Sequence, residues 1–80
     1  MILLYTSDKF VVVAVHYSPT DLGYEVVDKK NHKAVFLTGH AAVYFERQLV
    51  LWQENPPGRD TVEDAFEGLL QLGAQTTQYH

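Results

Sequence analysis

Six consecutive residues, Phe10-Val11-Val12-Val13-Ala14-Val15, constrain this chain more than any other stretch. The run is apolar throughout and mostly β-branched, and it is too short for a typical helix, so it predicts a strand. Side chains alternate between the two faces of a strand, and this one offers apolar groups to both. Such a strand is buried on both faces or lies centrally in a sheet. The flanking segments read the same way. Ile2 to Thr6 is a short apolar segment closed by the turn signal Ser7-Asp8-Lys9. Tyr24 to Asp28 and Lys33 to Leu37 are β-prone runs joined by Lys29-Lys30-Asn31-His32. They predict a hairpin in which Asn31 takes the left-handed conformation. Alternation puts Tyr24 and Val26 on one face, and likewise pairs Ala34 with Phe36. Tyr17 to Gly23, with Pro19 and Gly23, reads as a loop.

The second half has a different rhythm. Thr38-Gly39 ends the last strand, and His40 to Glu54 is rich in helix formers. Asn55-Pro56-Pro57-Gly58 stops that helix, because proline restricts the residue before it and supplies no backbone donor. Asp60-Thr61-Val62-Glu63 resembles a capping box opening a second helix, which runs to about Leu72 with Gly73 as its C-terminal glycine. Val62, Ala65, Phe66, Leu69, Leu70 and Leu72 form its apolar stripe, opposite Glu63, Asp64, Glu67 and Gln71. Gly68 within it offers a close backbone approach, to the sheet or to a partner helix. Together these elements predict an α+β fold: an antiparallel four-stranded β-meander followed by two helices packed on one face.

Eighty residues hold one domain, with a sheet half over 1–37, a two-helix half over 40–73 and a flexible polar tail over 74–80. There is no cysteine, so disulfides and thiolate zinc sites are excluded as staples for so small a core. Packing or a partner chain must supply what is missing. The apolar start, Met1 to Tyr5, has no preceding positive charge and is soon interrupted by Asp8 and Lys9, unlike a signal peptide. No apolar run approaches the roughly 20 residues of a membrane span, so the expectation is a cytoplasmic protein that does not enter a membrane. A formal net charge of −4 disfavours nucleic acid as a partner.

The first helix departs from the usual one-sided pattern. Ala42, Phe45, Leu49 and Trp52 form one stripe at helical spacing, yet Val43, Tyr44, Val50 and Leu51 fall largely outside it. A helix of this kind calls for burial on two sides, one against the sheet and one against another chain. Trp and Tyr are frequent interface anchors. Val43, Tyr44, Arg47, Val50, Leu51 and Trp52 are therefore the candidate interface, with a second copy or another protein as partner.

At Gly23-Tyr24-Glu25-Val26-Val27-Asp28-Lys29 and Val35-Phe36-Leu37-Thr38-Gly39 the chain resembles a family of short, uncharacterised bacterial proteins classed as a domain of unknown function. Leu4-Tyr5-Thr6-Ser7, Thr61-Val62-Glu63-Asp64, Ala42 and Phe45 fit the same resemblance, which spans nearly the whole chain. It implies a small cytoplasmic protein and carries no catalytic or ligand residues with it.

Candidate chemistry is sparse. His16, His32, His40 and His80 include no pair at the helical spacing of a zinc motif, and tyrosine at position 44 is a poor companion ligand for His40. No metal or cofactor is expected. Ser18 lies near His16 and Asp21, but no nucleophile elbow or oxyanion loop surrounds it, and Ser7 is the only other serine. Glu63, Asp64 and Glu67 suit the first turns of a helix, where negative charge is stabilised, better than they suit general acid–base work. Lys29, Lys30, His32 and Lys33 make one basic hairpin tip, a weaker alternative site for a small ligand or nucleic acid. The expectation is a non-enzymatic protein-interaction module, accessory or regulatory, and homodimeric through the first helix or an exposed sheet edge.

Overall fold

The computed structural model describes residues 1–73 and the backbone of Gln75–Thr76. Strands β1 (Ile2–Thr6), β2 (Phe10–His16), β3 (Leu22–Asp28) and β4 (Lys33–Leu37) are followed by helices α1 (Gly39–Glu54) and α2 (Arg59–Gly73). Gln75–Thr76 then adds a two-residue strand, β5. All neighbours are antiparallel, and the sheet order is that of the chain, β1 to β5. The four-stranded meander with two helices is thus extended by one short strand, which pairs Gln75 with Ala34 and Thr76 with Lys33. The sequence predicted only a flexible tail there, because two polar residues carry no strand pattern; the free edge of β4 supplies the pairing. The remainder of that tail, residues 74 and 77–80, lies outside the described residues.

The apolar run of β2 does sit between two strands, β1 and β3. Phe10, Val12 and Ala14 point to the helices and face Asp28, Val26 and Tyr24 across the β2–β3 pairing. Val35 and Leu37 of β4 complete that inner face. In β1 the register shifts between Leu3 and Tyr5, so Leu4 is an extra residue in the strand. Such a bulge bends the strand, and here Leu4 and Tyr5 both line the helix side. The other face of the sheet carries Val11, Val13, Val27, Ala34 and Phe36. Gly23 lies on it beneath the Phe36 ring, where a Cβ would come within 2.7 Å of that ring. At Gly68, by contrast, no close approach to the sheet occurs, since a Cβ there would meet nothing within 4 Å.

Phe66 of α2, 1% exposed, is the hub of the core. Its ring meets Tyr5, Phe10 and Trp52 edge-on, with centroids 5.2, 5.6 and 6.1 Å away, and leans on Phe45 at 6.4 Å. One residue of α2 therefore ties β1, β2 and α1 together. Leu70 also belongs to the core, whereas Leu72 is 89% exposed and falls outside the stripe assigned to it. Leu72 lies in the last turn of α2.

Local chemistry sets the element ends. The β3–β4 turn is built on Asp28, 1% exposed, whose carboxylate accepts the backbone N–H groups of Lys30 and Asn31 at 3.0 Å and the Asn31 side-chain amide at 2.8 Å. Because Asn31 is held in this way, His32 takes the left-handed conformation with φ 55°. At the start of α1, Thr38 makes no side-chain cap, and Gly39 turns the chain with φ 59°. The capping box expected at Asp60–Glu63 does not form: α2 starts at Arg59, two residues before the Thr61 that an Asp60 cap would require, and Asp60 lies inside its first turn. Glu63 turns across to accept the Tyr5 hydroxyl at 2.6 Å.

Candidate functional site

α1 has two sides with opposite fates. Ala42 and Phe45 are buried, and Leu49 and Trp52 pack against the core with part of their surface exposed. The helix repeat brings Val43, Arg47 and Val50 to the outer side, flanked by Tyr44 and Leu51. All five are exposed, Tyr44 at 79% and Leu51 at 58%. Val43, Glu46, Arg47, Val50 and Leu51 line one shallow depression. Five of the six interface candidates therefore share the outer surface. Trp52 does not: its ring is turned inward onto Phe66, because the stripe of Ala42, Phe45 and Leu49 continues through it.

Glu46, which the sequence did not single out, also belongs to this surface. The Tyr24 hydroxyl donates to its Oε2 at 3.4 Å, and burial together with that carboxylate pushes the Tyr24 phenol above its ordinary pKa. Its spacing one residue before Arg47 is the signal that could have drawn attention to it.

A second concave feature lies between the helices. A cleft of about 420 Å³ is lined by Leu37 of β4, by Ala65 and Leu69 of α2, and by a side of α1 that includes His40, Tyr44, Gln48 and Trp52. No sequence period announces it, because it arises from how the two helices are spread over the sheet. Further exposed apolar surface occurs on β1, where Ile2 and Leu3 are 57% and 59% exposed.

The other candidates are placed apart from this surface. Ser18 Oγ donates to Asp21 Oδ2 at 2.8 Å and accepts the Asp21 backbone N–H at 3.1 Å, the hydrogen bonding of a turn. His16 is exposed at the end of β2. Ser7 Oγ accepts the backbone N–H groups of Lys9 and Phe10. Glu63 holds Tyr5 and pairs with Arg59 at 3.5 Å, while Glu67 pairs with Lys9 at 3.1 Å. The Tyr5 hydroxyl, then Ser7, hold the Glu63 carboxyl below its usual range. These acids fasten α2 to the β1–β2 end of the sheet. Lys29, Lys30, His32 and Lys33 are all exposed at the β3–β4 turn. Among the described residues no group of three or more His, Cys, Asp or Glu could hold a metal ion, and no helix is long and apolar enough to cross a membrane.

A family model described as a protein of unknown function, DUF3567, matches residues 1–80. The chain belongs to the DUF3567 family. No curated protein and no solved structure matches it. The resemblance to a domain of unknown function is in keeping with this membership. What this DUF3567 chain adds is geometry: an apolar helix surface that the fold itself leaves open, beside a charged pair at its middle.

Proposed function

We propose that this chain is a non-enzymatic protein-interaction module, an accessory or regulatory subunit of the cytoplasm, that self-associates through the outer surface of α1. The observation that carries the reading is the exposure of Val43, Tyr44, Val50 and Leu51 on one helix. Their exposed side chains amount to an apolar patch on the order of 400 Å², the scale at which such patches mark contact sites. A small domain without disulfides also gains stability when a second subunit covers such a surface. The Ser18–Asp21 pairing, in which the hydroxyl serves the turn, supports a role other than catalysis.

The test is sedimentation of the full chain over a range of concentration. A shift from monomer to dimer is expected, and Leu51→Asp should abolish it while leaving the circular dichroism unchanged. A chain that remains monomeric at several hundred micromolar would overturn self-association. A second reading rests on the exposed tip of Lys29, Lys30, His32 and Lys33, set on the Asp28-organised turn. Salt-sensitive binding of an oligonucleotide, lost on replacing the three lysines with alanine, would favour it. The net charge of −4 weighs on the other side.

A further inference from the structure

Between α1 and α2 the core leaves a cleft unfilled. Its floor is the core itself, Leu37 and Phe45, both buried. Its sides include Trp52 of α1 and Leu69 of α2, which pack on the core yet keep part of their surface exposed. Each helix contributes one small residue to the lining, Ala41 from α1 and Ala65 from α2, and space remains where longer side chains would meet. His40, Tyr44 and Gln48 line the same cleft at intervals of four residues, so they form a polar rim along one strip of α1. The helix rise sets His40 about 18 Å from Trp52.

We propose that this cleft is a binding site for a small amphipathic carboxylic acid, its apolar body against Phe45, Trp52 and Leu69 and its carboxylate at His40. A volume of about 420 Å³ falls within the roughly 300–1,000 Å³ of small-molecule sites, which likewise combine an apolar, aromatic lining with a few polar groups. A partner protein would have to reach far beyond the cleft, since specific protein interfaces bury about 1,200 Å² or more.

The lining also selects the head group. Among the described residues that line the cleft there is no Asp, Glu, Lys or Arg. The one lining side chain of a type that charges near neutral pH is His40, and the charge is positive. The imidazole, the Tyr44 hydroxyl and the Gln48 amide can each donate a hydrogen bond, and a carboxylate accepts several. His40 stands in the first turn of α1, which holds no acidic residue, so the helix dipole adds to the preference for an anion. The proposal goes beyond self-association and does not depend on it, because Val43, Val50 and Leu51 line a separate depression.

Trp52 is the only tryptophan of the chain, so its fluorescence reports on the cleft. Titration of the full chain with decanoate, at low micromolar protein, should shift the emission saturably with a Kd on the order of 0.1 mM, as suits a ligand of about a dozen heavy atoms. Decyltrimethylammonium, with the same chain and the opposite charge, should bind at least about tenfold more weakly. Ala65→Leu fills the cleft and should abolish the shift while leaving the Tm equal or higher, and Ala41→Leu should do the same. His40→Ala should raise the Kd about three- to tenfold. Leu51→Asp should bind decanoate as the parent chain does. The absence of a saturable shift up to several millimolar decanoate would overturn the site. Parent-like binding by Ala65→Leu and Ala41→Leu, or loss of binding in Leu51→Asp, would place the probe elsewhere and overturn the cleft. Equal affinity for decyltrimethylammonium, or a Kd untouched by His40→Ala, would overturn the carboxylic acid as the ligand class. Self-association is read separately, by sedimentation, and its failure would leave every one of these outcomes unchanged.

Discussion

Truncating the aromatic residues at 44 and 52 to alanine separates the two sides of α1, although the residues lie on the same helix. Tyr44 is 79% exposed, so folding removes at most about a fifth of its side chain from water. At roughly 2–3 kcal/mol for full burial of a large side chain, its contribution to the isolated subunit is about 0.5 kcal/mol. Trp52 packs into the core with its ring edge-on to Phe66, 6.1 Å between centroids. Removing it loses the buried area, leaves a cavity and discards an aromatic contact, for about 3 kcal/mol in total. An 80-residue domain has roughly 4–12 kcal/mol of stability, so Trp52→Ala removes a quarter or more of it. At about 4–8 °C per kcal/mol for a domain of this size, Tm should fall by about 12–24 °C. Urea unfolding followed by circular dichroism is the assay, since Trp52 is the single tryptophan and its loss removes the fluorescence signal. Measurements belong at low micromolar concentration or below, where association adds little to stability. If Tyr44→Ala destabilised the dilute chain as much as Trp52→Ala, the outer side of α1 would be serving the fold, and the case for a contact surface would be lost.

Asp28→Asn should lower stability at neutral pH by about 1–3 kcal/mol, because the carboxylate accepts three hydrogen bonds in the turn. Burial opposes the Asp28 charge, but the Asn31 side chain, the backbone N–H groups of Asn31 and Lys30, and Lys9 outweigh it and hold the carboxyl below its ordinary pKa. A folded-state pKa below the unfolded one gives stability that is present above about pH 4 and is lost as pH falls through the folded value. The urea midpoint should therefore drop on acidification, and drop less in Asp28→Asn. Gly23→Ala places a Cβ 2.7 Å from the Phe36 ring and should cost about 1–2 kcal/mol in thermal unfolding. In a Phe36→Ala background that cost should shrink, and an unchanged cost would show that the ring is not the obstacle. Phe66→Ala should cost about 3–5 kcal/mol and leave the chain largely unfolded at 37 °C, judged by the loss of near-ultraviolet circular dichroism.

Local patterns were legible wherever a single element decided the outcome. The β2 run predicted an interior strand, Pro56-Pro57 stopped α1, and the double apolar character of α1 marked a surface beyond the core's needs. Misreadings arose where two elements compete for one group. Glu63 has the spacing of a capping residue, yet Tyr5, 58 positions away, takes its carboxylate. Asn31 suits the left-handed conformation, but Asp28 captures it and His32 adopts that conformation. Trp52 resembles an interface anchor until Phe66 is set beside it.

By itself, then, the order of residues determined the strands, the helices and the excess of apolar surface on α1, because hydrophobic period and proline placement act within a few residues. Only the tertiary structure decided which side of α1 is covered, where the cleft between the helices opens, and that β4 has an edge for Gln75–Thr76. Those outcomes depend on groups far apart in the chain meeting in space, and no local pattern records which of several possible partners a side chain will find.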